Sequence, residues 1–161
     1  MRVSSESLLK QASDSVANKF LVFRLGNEEH AVPLLSVREV SSMRPLRRVP
    51  ETPHYHLGVT NLRGNVVSVI SLCAKIGVDP IGPDSNKAML VFDLSGTTLG
   101  VVVDEVLSVC AISSNEIDRE THVNLPISSR YLLGIAKISD RLVTLIDLTT
   151  LLEGAVVQND E

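Results

Sequence analysis

At 161 residues and 44% hydrophobic content, the chain can bury one sizeable core or two small packed ones, which excludes a disordered linker. A formal net charge of −4 gives no global attraction for nucleic acid or an anionic membrane, and charges, Gly or Pro interrupt every apolar run before it reaches the length of a membrane span. Aromatic residues make up 3% with no Trp, so the core must come from Val, Leu and Ile in short runs, which favours strands.

Residues 1–18 are rich in Ser and read as a tail. Phe20 to Leu25 predicts a strand, Gly26-Asn27-Glu28-Glu29 a turn, and Ala31 to Leu35 the returning strand of a hairpin. Leu34 to Val40 fits either a short helical turn or a strand end. Pro45, Pro50 and Pro53 then punctuate a connection that carries Arg44, Arg47 and Arg48 and cannot be regular helix. Gly58 to Leu62 and Val66 to Leu72 read as strands joined tightly at Arg63-Gly64-Asn65, and Pro80 and Pro83 mark a junction. Strands follow near Ala88 to Leu94 and Thr98 to Val103. After a stretch from Ser113 to Arg130 containing Pro126, two more run near Leu132 to Ile138 and Arg141 to Leu145, turning at Ser139-Asp140. Asp147 is placed to cap a closing helix over Leu148 to Leu152.

The second half restates the first. Leu21-Val22-Phe23-Arg24-Leu25 reappears as Leu90-Val91-Phe92-Asp93-Leu94, an offset of 69; Leu57-Gly58-Val59 reappears as Leu133-Gly134-Ile135, an offset of 76. That period exceeds the ~20 to 50 residues of common solenoid repeats. It implies a duplicated small β unit, with approximate repeats 19–85 and 86–153 and a tail at 154–161.

Catalytic chemistry is not spelled out. His54 and His56 sit two apart, which on one strand would share a face, but no Cys or carboxylate cluster joins them at metal-ligand spacing. Asp104 and Glu105 would point to opposite faces of a strand and read as a solvated or turn pair. Phosphate-cradle and nucleophile-elbow motifs are missing. Cys73 and Cys110, without CxxC spacing, read as buried reduced thiols of a cytosolic protein. The reading is a non-catalytic binding protein with no metal and no cofactor.

The string Gly58-Val59-Thr60-Asn61-Leu62-Arg63-Gly64, followed by Val66-Val67-Ser68-Val69-Ile70, resembles the CheW family, the scaffold adaptors of bacterial chemotaxis. Phe20 to Phe23, Val37-Arg38-Glu39-Val40, Gly100 to Asp104 and Tyr131 to Lys137 extend the likeness over residues 19–153. The resemblance implies a mainly β fold of two intertwined five-stranded SH3-like barrels with exchanged strands and short helical segments. It also implies a cytoplasmic adaptor, recruited to membrane-associated arrays. This adaptor would couple the cytoplasmic tips of methyl-accepting chemoreceptors to the regulatory domain of a CheA-type histidine kinase, with other CheW-like domains as further partners and no nucleic acid.

Carried onto this sequence, the resemblance makes Arg63 the principal receptor- and kinase-coupling residue. Asn61 and Gly64 shape its turn, Glu39 is its natural internal partner, and Val37, Gly58, Gly100 and Val109 are further contact positions. One segment departs from the family pattern. Where V-P-V-I-D-L-R is usual, Val67-Ser68-Val69-Ile70-Ser71-Leu72-Cys73 stands. That departure is the sole support for a second reading, a paralogue that caps the kinase regulatory domain without coupling receptors.

Overall fold

The computed structural model describes residues 18–119 and 127–153. The expected N-terminal tail through residue 17, Pro126 and the 154–161 tail lie outside the described residues. Strands β1 (Lys19–Leu25) and β2 (Glu28–Pro33) form the first hairpin, and a single 3-10 turn at Leu34–Ser36 leads to β3 (Glu39–Ser42). Strands β4 (His56–Leu62) and β5 (Asn65–Ser71) form the second hairpin, followed by α1 (Leu72–Ile76). The second half supplies β6 (Ala88–Leu94), β7 (Thr97–Val103), β8 (Glu105–Ala111), β9 (Ile117–Asp118), β10 (Leu132–Ile138), β11 (Arg141–Ile146) and α2 (Leu148–Glu153).

The strands assort into two sheets, β8-β1-β2-β11-β10-β9 and β3-β6-β7-β5-β4. Each sheet joins one hairpin from each half through a parallel seam, β2 with β11 in the first and β5 with β7 in the second. The halves have therefore exchanged hairpins, and the described fold is two intertwined SH3-like barrels. The duplication holds in three dimensions: Val22 pairs with Ser108 as Val91 pairs with Glu39. Beyond five strands, each barrel gains a short edge piece. In the first it is the two-residue β9, and in the second a lone bridge between Arg47 and Val59.

Exchange explains why strand sequences such as Phe20-Leu21-Val22-Phe23 are apolar at every position. Leu21, Phe23 and Leu25 face a core shared by both barrels with Leu90, Phe92 and Leu94, whereas Phe20 and Val22 fill the first barrel and Met89 and Val91 the second. A strand covered on both sides loses the polar-out alternation of an exposed sheet. The helices seal the shared core. Asp147 caps α2 by accepting from the Thr150 amide at 3.3 Å, as expected. Ser71 does the same for α1 through the Ala74 amide at 3.1 Å, and Gly77 ends that helix at φ 81.

The expected solvated pair at Asp104-Glu105 is only half right. Glu105 is partly exposed and pairs with Arg24 across the β1–β8 ladder. Asp104 is 2% exposed and accepts from the backbone amides of Gly26 and Ile81, each at 2.8 Å. It sits where the chain crosses from β7 in one barrel to β8 in the other, so its carboxylate binds the crossover, the first hairpin turn and the linker between halves. Cys73 also donates to Asp104, at 3.5 Å; burial first, and then this carboxylate, push its thiol up to about 12. Cys73 is inert as a nucleophile at neutral pH.

His30 is fully buried beside Phe23, at a ring-to-ring distance of 6.2 Å, with both nitrogens unpartnered. Its counterpart in the duplicate is Leu99. Burial pushes its pKa down to about 4, so the ring is neutral at pH 7 and its 3.7 Å approach to Glu28 is not an ion pair. Between the ordinary histidine value and about 4 the unfolded chain binds a proton that the folded ring refuses. Stability therefore falls as pH drops through that window, by roughly 3 kcal/mol in total. His30→Leu should remove this acid-dependent loss and raise stability at pH 7 by about 1–3 kcal/mol. Urea unfolding at pH 7 and pH 5 checks both; an unchanged pH dependence in the variant contradicts the assignment.

Candidate functional site: a turn-borne arginine

The two-residue loop between β4 and β5 places Arg63 at φ 53 and Gly64 at φ 87, the conformation of a type I′ hairpin turn. Asn61 holds the loop by accepting from the Gly64 amide at 2.9 Å. Asn and Gly are the residues such a turn prefers, and a non-glycine residue at positive φ costs about 1 kcal/mol or more. An arginine here works against the turn's own preference.

Its side chain is 74% exposed, and Nη2 lies 3.1 Å from Oε2 of Glu39, which is only 12% exposed. Glu39 begins β3, at one edge of its sheet, and Arg63 follows β4 at the other, so the pair closes the barrel across its open edges. Glu39 engages one corner of the guanidinium fork, whose remaining donors face solvent. Neighbouring Arg38 is held differently, by Asp93 at 3.1 Å and Thr98 at 3.3 Å. The duplicate builds the same left-handed turn from Ser139 at φ 48 and Asp140 at φ 64, but Ser139 and Ser108 occupy the positions of Arg63 and Glu39, so it lacks this ion pair. Its hairpin instead carries Arg141, paired with Glu29 at 2.8 Å across the parallel seam.

The other expected contact positions are not gathered with Arg63 on one exposed face. Val37 is buried in the shared core, and Val109 packs against that core from β8. At Gly100 a Cβ would lie 2.6 Å from Met89 Sδ, inside the second barrel. Gly58, at φ 143, lets the Arg47 carbonyl approach to where a Cβ would be 2.4 Å away, which permits the Arg47–Val59 bridge. Gly134 repeats this device beneath β9.

Two exposed residues escaped the sequence reading. Val66 and Leu142 are 76% and 68% exposed and occupy equivalent positions just after the β4–β5 and β10–β11 turns. The apolar alternation of β5 and β11 marks both as strand residues; it does not show that neither barrel end is covered there.

Of the departures, Ser68 and Ser71 are half-buried and Cys73 is buried. Ser71 replaces one good helix cap with another, and Cys73 lies in the shared core. His54 precedes β4 and touches the Ala74 carbonyl at 3.1 Å, while His56 opens the strand and is buried, so the two do not share a strand face as expected. Among the described residues no group of three or more His, Cys, Asp or Glu could hold a metal ion, and no helix is long and apolar enough to cross a membrane.

A double barrel whose distinctive exposed features are one turn-borne arginine and two apolar strand ends defines a protein-binding module. A family model described as the CheW-like domain matches residues 19–156, and the chain belongs to that family of chemotaxis scaffold adaptors. It is 33% identical to the chemotaxis protein CheW of Klebsiella aerogenes, over 93% of this chain and 92% of that one. It is 34% identical to the CheW of Helicobacter pylori, over 89% and 87%. The crystal structure of the scaffolding protein TtCheW from Thermoanaerobacter tengcongensis superposes with a TM-score of 0.76 at 30% identity, covering 89% of this chain and 91% of that one.

Proposed function

We propose that this adaptor joins the regulatory domain of a CheA-type histidine kinase to the cytoplasmic tips of methyl-accepting chemoreceptors, with Arg63 at the receptor-coupling surface. The observation that carries the assignment is an exposed arginine paired with a mostly covered glutamate at a turn where the duplicate has only Ser139 and Ser108. Glu39 presents the fork, and Asn61 and Gly64 fix the turn beneath it. Val37, Gly58, Gly100 and Val109 act from below, by positioning the strands that carry this surface.

Val66 and Leu142 are the proposed kinase contacts. Each offers an aliphatic side chain at a barrel end, where an apolar patch on a partner of the same double-barrel kind, or on another CheW-like domain, can cover it. No chemistry is asked of the adaptor; simultaneous contacts raise overall avidity by roughly 10² to 10⁴ where geometry allows both. Recruitment from the cytoplasm to receptor arrays follows from those contacts. The capping reading is not favoured: Ser71 caps α1 and Cys73 lies in the shared core, which leaves only the half-buried Ser68 of β5 to support it.

Titration of the isolated kinase regulatory domain with wild type, Val66→Asp and Leu142→Asp tests the kinase arm. At least one variant should weaken binding by about tenfold or more with the fold intact. Unchanged affinity in both would remove the barrel ends from the interface.

A further inference from the structure

We infer that the β10–β11 end of the first barrel is a contact surface for a second copy of this chain, packed Leu142 on Leu142 about a two-fold axis. The contact uses a side chain already proposed to touch the kinase. It rests on the surface of this chain alone and is tested with no kinase present, so either reading can fail without the other.

The surface is a row of exposed residues running across the sheet. Leu142 on β11 pairs with Lys137 on β10. On the other side of Leu142, the parallel ladder that pairs Val143 with Glu29 brings Glu28 of β2 alongside. Residues in register share a face, so Lys137, Leu142 and Glu28 emerge together on the side turned away from Val143 and Leu145, which fill the first barrel. Leu142 is 68% exposed, and the side chains of Lys137 and Glu28 are 70% and 50% exposed. Neither charge is firmly committed within the chain. Lys137 approaches Asp140 at 3.8 Å with both side chains open to water, and Glu28 approaches His30, whose ring is neutral, at 3.7 Å. Arg141 and Glu29 belong to the opposite face and engage each other.

A leucine set between a cation and an anion is self-complementary. A two-fold axis parallel to the strands, lying between two facing rows, reverses one row against the other. Leu142 then meets Leu142, Lys137 meets Glu28 and Glu28 meets Lys137, the isologous arrangement in which each residue's partner reciprocates. Rows facing in the same sense would set like charges against one another. Mixed sign also lets a chain of net charge −4 approach its own copy without local repulsion.

The duplicate shows the same surface without charge. Val66 holds the position of Leu142 and pairs with Asn61 in place of Lys137, while Thr97 stands in place of Glu28. A Leu142 row packed on the Val66 row of another copy would leave both charges opposite neutral side chains. That heterologous contact would also propagate into an open chain, because every copy would still offer a free end. The Leu142 row on its own copy pairs both charges and closes at two. Exposed ion pairs contribute little strength, so the dimer is weak: the leucines supply the apolar contact and the charges set its register.

The test is sedimentation equilibrium of the full-length protein over a wide concentration range at low salt. Wild type is expected to follow a monomer–dimer equilibrium that weakens as salt is raised, and Leu142→Asp should lose it. Lys137→Glu makes the row anion, leucine, anion, and Glu28→Lys makes it cation, leucine, cation; each alone should associate about tenfold more weakly than wild type, or worse. Mixed in equal amounts, these two variants should form a heterodimer. The double variant Glu28→Lys/Lys137→Glu, whose row is reversed but again self-complementary, should regain wild-type association. All three positions are exposed, so the substitutions leave the core untouched. The proposal is overturned if wild type stays monomeric throughout, if the single charge variants associate as wild type does, or if their mixture does not associate. Growth beyond the dimer overturns it as well, because that places the Val66 end of one copy on the Leu142 end of the next.

Discussion

Arg63→Ala is expected to abolish recruitment of the adaptor to receptor-containing membranes while its stability stays within about 1 kcal/mol of wild type. The two effects separate because the arginine is exposed and its ion pair with Glu39 is largely screened, so little stability rests on it. Binding rests on the remaining donors of the fork, and an arginine lost from the centre of an interface typically costs about 2 kcal/mol or more. Arg63→Asn sharpens the point. Asn suits positive φ, so that variant should be more stable than wild type by about 0.5–1 kcal/mol and still fail to bind receptors. Thermal unfolding together with sedimentation checks both halves; an Asn variant that binds normally would make Arg63 a turn residue and nothing more.

Asp104→Ala should carry the largest stability cost of any single change considered, about 3–5 kcal/mol, because it orphans two buried amides at the junction of the barrels. The Gly26 and Ile81 amides have no other acceptor described, and the Cys73 thiol loses its partner as well. The duplicate offers no substitute lock: the position equivalent to Asp104 is the exposed Leu35. Asp104→Asn, which keeps an acceptor oxygen, should lose appreciably less. Urea unfolding of the three proteins decides the matter, and an Ala variant within 1 kcal/mol of wild type would show that water or backbone rearrangement replaces the carboxylate.

Much of this architecture is legible in the chain, and the limits have physical causes. The repeat of Leu21-Val22-Phe23 as Leu90-Val91-Phe92 marks equivalent strands, and Arg63-Gly64 and Ser139-Asp140 mark equivalent turns. Partnership is less accessible: apolar patterning says which face of a strand is buried and not which strand lies beside it, so the parallel seams of β2 with β11 and β5 with β7 come from the structure. Short elements also escape. Strand β3 has four residues and α1 five, too few to impose a period. At the site, the pairing of Glu39 with Arg63 comes from the family resemblance, because nothing in the sequence itself brings β3 beside the β4–β5 turn. From sequence Asp104 reads as solvated, because it stands beside another acid. Only the convergence of three distant segments reveals the amides that justify its burial.

One small protein is expected to couple receptors to kinase. The measurement that bears on it most directly is co-sedimentation with receptor-containing membranes, performed with and without the CheA-type kinase, for wild type and Arg63→Ala. Wild type should sediment with receptors, kinase should strengthen this and be carried down only when the adaptor is present, and Arg63→Ala should lose both effects while remaining folded. Wild-type protein that binds kinase but leaves it in the supernatant, with or without receptors, would rule out a coupling role.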